Sequence, residues 1–213
     1  MADQLANEIA DFTWKIILVG NKKVGKTSIT NRYVNNKFSE EYKSSQDVQF
    51  QRKNQSIEGT DKWAQLHIWD TLGQEKFKAL APVFFRRSVG CFLVYDVTNR
   101  DSFNALQGWI DQINASSEDK IIVMLLGNKS DLPDKAVTSD EGLEFAKQNG
   151  YGFMEVSAKG DINISAAFKS LITNVYAAVN KKHLIENPQA LKLEANSAAA
   201  DKNKKKKDDG CCK

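Results

Sequence analysis

Eight residues near the start of the chain have the types and spacing to hold a phosphate: Gly20-Asn21-Lys22-Lys23-Val24-Gly25-Lys26-Thr27. They fit G-x-x-x-x-G-K-[ST] and stand between an apolar run at 14–20 (WKIILVG) and a segment with helical patterning at 26–36. Glycines let backbone N–H groups close around an anion with no Cβ in the way, and the helix N-terminus that follows adds partial positive charge. Lys26 has the reach for β- and γ-phosphate oxygens, and the Thr27 hydroxyl suits Mg²⁺. Gly20, Lys22, Lys23, Val24, Gly25 and Ser28 complete the stretch expected to touch phosphate.

Three further groups stand at the ends of apolar runs. Trp69-Asp70-Thr71-Leu72-Gly73-Gln74-Glu75 closes a strand-like segment. An Asp at a strand end beside a phosphate loop can hold Mg²⁺, usually through water. Asn128-Lys129-Ser130-Asp131 follows 121–127. A carboxylate there can accept two hydrogen bonds from guanine, at its ring N–H and its exocyclic amine. Adenine offers neither and would leave Asp131 unpaired, so a site of this kind discriminates strongly. Asn128 can reach the base edge, and the Lys129 stem can cover one face. Ser157-Ala158-Lys159 follows the last strand-like run and supplies a backbone N–H toward the guanine oxygen and a second Lys stem. Each group alone is weak, and each has an ordinary reading as a strand-ending turn. Together they occupy one edge, the C-terminal ends of the strands, where open α/β sheets bind ligands.

At this point the sequence resembles the small Ras-like GTPases. Leu93-Val94-Tyr95-Asp96-Val97-Thr98-Asn99, with Ser102-Phe103, Trp109 and Gln74-Glu75-Lys76-Phe77, is similar to the Rab branch. The likeness spans about 14–180. It implies a six-stranded sheet with five helices and a GTP–GDP switch. It also implies that Phe38 touches the guanine edge, lying seven residues before the switch Mg²⁺ ligand Ser45. Gln74, with Lys26, takes the catalytic role by orienting the attacking water. Gly73 N–H and Ser45 sense the γ-phosphate, and Phe50, Trp69 and Phe84 face effectors. The resemblance further implies an exchange factor, an activating protein, effectors, an escort protein, a dissociation inhibitor and a geranylgeranyltransferase as partners.

The chain also departs from the family pattern. Ser45 stands where Thr is usual, Asp47 where Gly is usual, and Leu72 where Ala is usual. Phe84-Phe85-Arg86-Arg87 replaces two Tyr, Arg and Gly. Asp47 puts standard partner recognition in doubt. Lys22 and Lys23 stand where small residues are usual, in the stretch that passes the γ-phosphate. A bulky Lys22 could displace Gln74 or block an incoming arginine finger; it could equally aim its ammonium at the phosphate and tighten binding. Slow intrinsic hydrolysis, dependent on an activating protein, is the expectation. A second reading is a Rab-like binding module that holds GTP and barely cleaves it.

The elements that must position these residues follow from patterning. Nearly continuous apolar runs at 14–20, 90–97 and 121–127, with a short one at 152–156, suit strands covered on both faces. Helical spacing marks 26–36, 101–115, 139–149 and 161–182. Alternation at 48–57 and 63–70 around a turn at Glu58–Lys62 reads as a hairpin. Residues 37–47 read as a loop and 75–85 as irregular or partly helical. The fold class is α/β: a six-stranded, mostly parallel sheet with one antiparallel edge strand and helices on both faces.

The 213 residues carry 41% apolar and 27% charged residues, ordinary for a globular domain with tails. The domains expected are an extension at 1–13, a nucleotide-binding domain at 14–182 and a flexible tail at 183–213. Three Cys exclude a disulfide framework, and no apolar run reaches the ~20 residues of a membrane span. Residues 201–213 hold six Lys and three Asp, and the remaining chain has 24 basic and 24 acidic residues. A neutral body argues against nucleic acid as a partner. The ending Lys204–Lys207, then Cys211-Cys212-Lys213, resembles Rab-type double geranylgeranylation. Two lipid chains anchor stably where one does not. This implies the cytoplasmic face of intracellular membranes, with a cytosolic pool. Cys91, inside an apolar run, is expected in the core.

Overall fold

A computed structural model of the chain describes residues 10–40, 49–71, 85–116 and 121–186; for Gln49, Ser116 and 182–186 it describes the backbone alone. Ser45, Gly73, Gln74, Phe84, Cys211 and Cys212 lie outside the described residues, as do Asp47, Leu72 and most of 75–85. The chain divides into two units, 1–175 and 176–213.

Six strands form one sheet: β1 Phe12–Val19, β2 Gln49–Ser56, β3 Trp63–Asp70, β4 Ser88–Asp96, β5 Ile122–Asn128 and β6 Gly152–Val156. Their order is β2-β3-β1-β4-β5-β6. Every pairing is parallel except β2 with β3, so the hairpin supplies the antiparallel edge strand as expected. Register brings the strand ends level. Leu18 pairs with Asp70, and Asp96, Asn128 and Val156 form a row. The motif residues therefore share one edge of the sheet.

The helices among the described residues are α1 Lys26–Asn35, α2 Arg100–Asn104, α3 Leu106–Ser116, α4 Ser139–Asn149 and α5 Ile164–Glu186. The expected single helix at 101–115 is two, separated at Ala105. Its hydrophobic spacing continues across the break, so periodicity alone could not reveal it. The final helix begins at Ile164 rather than 161, because Ser157 and Ile162 pair as an isolated bridge just before it. α4 matches its expected bounds for a visible reason. Thr138 and Glu141 form a reciprocal capping box, and Gly150 closes the helix in a left-handed conformation at φ 70°.

Side chains alternate between two packed layers. On one face Tyr33 of α1 stacks on Phe168 of α5 with ring centroids 3.6 Å apart, and Phe92 meets Phe168 edge-on at 4.6 Å. On the other, Ile17, Cys91, Leu93 and Tyr95 pack against Leu106, Ile110 and Ala146. Cys91 is fully buried, and burial pushes its thiol pKa up, so it is a core residue as expected.

Candidate nucleotide site

The loop 20–25 leaves β1 and delivers its last residue as the N-cap of α1, Gly25 at φ 96°. Two glycines are sterically required. A Cβ on Gly20 would stand 2.1 Å from the Val94 carbonyl oxygen, and one on Gly25 would stand 2.2 Å from Asn128 Nδ2. Lys23 also takes a left-handed conformation, at φ 66°. Alternating backbone conformations of this kind turn successive N–H groups toward one concavity. The first turn of α1 carries no acidic residue, which keeps the positive end of the helix uncompensated.

Lys26 is buried, and its ammonium donates to the carbonyls of Gly20 at 2.8 Å and Asn21 at 2.9 Å. Burial lowers its pKa to about 8, against the opposing pull of Asp70. Thr27 Oγ1 donates to Asp70 Oδ2. Asp70 Oδ1 is buried with no hydrogen-bond partner. Burial raises the Asp70 pKa, while the Thr27 hydrogen bond and the Lys26 charge lower it. A buried carboxylate oxygen left unpaired is costly unless a cation answers it. Among the described residues no group of three or more His, Cys, Asp or Glu could hold a metal. One carboxylate and one hydroxyl suit Mg²⁺, which keeps its waters and takes phosphate oxygens, rather than a metal caged by protein.

The opposite end of the edge is braced by side chains. Asn128 Nδ2 donates to the Val24 carbonyl at 2.7 Å, and Asn128 Oδ1 accepts from Ala158 N–H at 3.3 Å. Asn128 thus ties the phosphate loop to the 157–159 loop, a structural task beyond its expected base contact. Ser157 Oγ donates to Asp131 Oδ1 at 2.5 Å and accepts from Gly160 N–H at 2.8 Å. Asp131 is thereby aimed by a fully buried hydroxyl. Lys129, at φ 68°, pairs with the Asp96 carboxylate, and Lys159 pairs with Glu40 at 2.7 Å. Phe38, half-buried, lies two residues before Glu40 on the segment so tethered.

Three contributors were invisible to motif spacing. Arg32 of α1 donates to the Ala158 carbonyl at 2.9 Å and the Lys159 carbonyl at 3.3 Å, clipping α1 to that loop. Trp109 Nε1 donates to Asn21 Oδ1 at 2.9 Å, reaching the phosphate loop from α3. Thr71 Oγ1 donates to the Leu18 carbonyl at 2.6 Å and fixes the strand end beyond Asp70. Only Trp109 carried a signal, since an indole N–H in a packed setting needs an acceptor.

Fold and loop together define a phosphate-loop nucleotide-binding domain with a second, polar pocket wall formed by three strand ends. The Ras family model matches residues 15–177. The chain is 38% identical over 175 residues to Ras-related protein RABA4b of Arabidopsis thaliana, covering 82% of this chain and 77% of that one. It is 35% identical to Rab2BV of Beta vulgaris over 218 aligned positions, covering 100% and 99%. It is 40% identical to RGP2 of Oryza sativa subsp. japonica over 174 residues, covering 81% and 79%. The chain belongs to the Ras family, as a Rab-like member. It is a small GTPase that binds GTP and GDP, hydrolyses GTP, and acts as a switch in vesicle trafficking through regulators and effectors.

Proposed function

We propose that the chain divides this activity among the following residues. Gly20, Lys22, Lys23, Val24, Gly25, Thr27 and Ser28 cradle the phosphates, and Lys26 neutralises the β- and γ-phosphate oxygens. Thr27 and Asp70, with Ser45, would hold Mg²⁺, which would offset the negative charge of the phosphates. Phe38, Asn128, Lys129, Asp131, Ser157, Ala158 and Lys159 form the guanine pocket. Gln74 orients the water that adds to the γ-phosphorus as the bond to the β–γ bridging oxygen breaks, giving GDP and phosphate. Gly73 and Ser45 report the γ-phosphate to the switches. The observation that supports this assignment most is the unpaired Asp70 Oδ1 beside Thr27 at the mouth of the loop.

Turnover is slow without an activating protein, since no arginine of the chain matches an in-built finger. Phe50, Trp69 and Phe84 present the switch state to effectors. Residues 1–13 are an extension and 14–182 the nucleotide-binding domain. The tail, 183–213, takes geranylgeranyl groups on Cys211 and Cys212 with an escort protein and a transferase. A dissociation inhibitor then maintains a cytosolic pool beside the pool on the cytoplasmic face of intracellular membranes. Among the described residues no helix is long and apolar enough to cross a membrane.

The test starts from freshly purified protein. The bound nucleotide is released by denaturation and identified, then the chain is reloaded with GTP and phosphate release is followed with and without Mg²⁺. GDP on isolation and Mg²⁺-dependent release are expected. GTP on isolation and negligible release would instead mean a binding module. Single-turnover cleavage by Lys22→Ser then isolates the loop lysine; a rate equal to wild type would remove Lys22 as the cause of slow hydrolysis.

A further inference from the structure

We propose that Arg32 is the positioning residue that sets how long the nucleotide stays bound. Its guanidinium joins the two segments assigned to the guanine base, 36–40 with Phe38 and 157–159, and GDP leaves when that join opens. The proposal rests on reading both segments as guanine contacts and adds the side chain that holds them together.

Arg32 stands in the last turn of α1 and engages both segments with its three guanidinium nitrogens. Nε donates to the Ala158 carbonyl at 2.9 Å and Nη2 to the Lys159 carbonyl at 3.3 Å. Nη1 donates to Asn36 twice, to Oδ1 at 3.1 Å and to the carbonyl at 3.3 Å. Ala158 lies 126 positions from Arg32 and Asn36 only 4, so a long-range and a local tie meet on one planar group.

The backbone at each end of this join needs holding. Ala158 is buried and fixed on both sides: its N–H donates to Asn128 Oδ1 at 3.3 Å and its carbonyl accepts from Arg32. Asn36 ends α1 in a left-handed conformation, φ 51° and ψ 36°, which turns the chain toward Phe38. Asn adopts that conformation more readily than other side-chain-bearing residues because its amide can hydrogen-bond locally, and Arg32 supplies the donor. The Lys159–Glu40 ion pair at 2.7 Å also links the two segments, but both side chains are more than half exposed, so solvent screens it.

The fork of Arg is what the task requires. Its donors point in fixed, separate directions, whereas Lys is a compact point charge. The acceptors of Arg32 lie in the two guanine segments and not in the phosphate loop. Its loss should therefore act on nucleotide release more than on cleavage. Changes to such contacts are felt mostly in the dissociation rate.

The test follows release of fluorescent GDP from the full chain at saturating Mg²⁺. Arg32→Ala should release it about tenfold faster or more, as expected when hydrogen bonds to a charged group are lost. That rise should far exceed any fall in association rate or in single-turnover cleavage of bound GTP. Arg32→Lys should release GDP as fast as Arg32→Ala, because charge without the fork cannot join the segments. Asn36→Gly keeps the left-handed turn and removes the Oδ1 acceptor. It should speed release about threefold in the wild-type background and add nothing to Arg32→Ala. It also carries the test by itself should Arg32→Ala not fold. Release at the wild-type rate from Arg32→Ala or Asn36→Gly overturns the proposal. So do restoration by Arg32→Lys, additive effects in the double variant, or cleavage that falls as much as release rises. Failure of the wild-type chain to bind GDP would overturn the reading of the nucleotide site, and this proposal with it.

Discussion

Thr27 Oγ1 donates a hydrogen bond to Asp70 Oδ2 across 43 positions of sequence, and it leaves Asp70 Oδ1 buried without a partner. The pairing of Leu18 in β1 with Asp70 in β3 brings the two together, because the loop after β1 returns Thr27 to the same strand end. A hydroxyl and a carboxylate so placed would supply two oxygens toward the six that Mg²⁺ takes. Asp70→Ala should weaken Mg²⁺ dependence by about 10–100-fold, the usual range for a group that orients metal ligands. In wild type, chelation by EDTA should speed release of fluorescent GDP. In the variant, release should already run at the chelated rate; a wild-type-like response to EDTA would remove Asp70 from the metal site.

Asn128 should act on stability as well as on nucleotide affinity. Its amide satisfies the Val24 carbonyl and the Ala158 N–H, and it is 2% exposed. Asn128→Ala leaves both buried groups unpaired and should cost about 1–3 kcal/mol, seen as a lower urea midpoint. GDP release should also quicken. Unchanged stability would mean that water replaces the amide at no loss.

Glycine substitutions should separate sharply by site. Gly20 stands at φ 140° with the rigid Val94 carbonyl where a Cβ would go, so Gly20→Ala should destabilise by about 3 kcal/mol. Gly108, inside α3, has nothing within 4 Å of its Cβ position. Gly108→Ala should stabilise by about 0.5–1 kcal/mol through lower unfolded-state entropy. Thermal melts of the two variants test the contrast directly.

Lys26 sets a pH dependence of opposite sign for affinity and stability. Its folded pKa of about 8 lies below its ordinary value of 10.5, so the unfolded chain holds the extra proton between those values. Stability therefore gains from this group as pH rises through that window. Phosphate affinity of the nucleotide-free chain should fall over the same window, by up to about tenfold per pH unit, because the neutral amine no longer offsets phosphate charge. Lys26→Arg keeps its charge and should bind more weakly but with a flat profile. Titration of fluorescent GDP against pH reads both.

Much of the site was legible because its residues are local strings with chemical meaning. Gly20 to Thr27 can be read as a phosphate loop since the glycines and the lysine are neighbours in sequence. Arg32, Trp109 and Glu40 could not be read this way. Each acts on residues far along the chain, Arg32 on Ala158 and Lys159, Trp109 on Asn21, Glu40 on Lys159. The break at Ala105 was hidden for a different reason: a helical repeat survives a single residue of altered geometry.

Periodicity and turn chemistry by themselves determined the element types, the hairpin, the helix bounds of 139–149 and the side of the sheet on which the motifs stand. These depend on contacts within a few residues, which the order of amino acids states outright. Tertiary structure alone decided that β1 lies between β3 and β4, that Asn128 braces two loops, and that Lys129 and Lys159 answer Asp96 and Glu40. Such pairings depend on which strand ends fall level. Level ends are set by the packing of whole elements, with many alternatives compatible with the same local pattern.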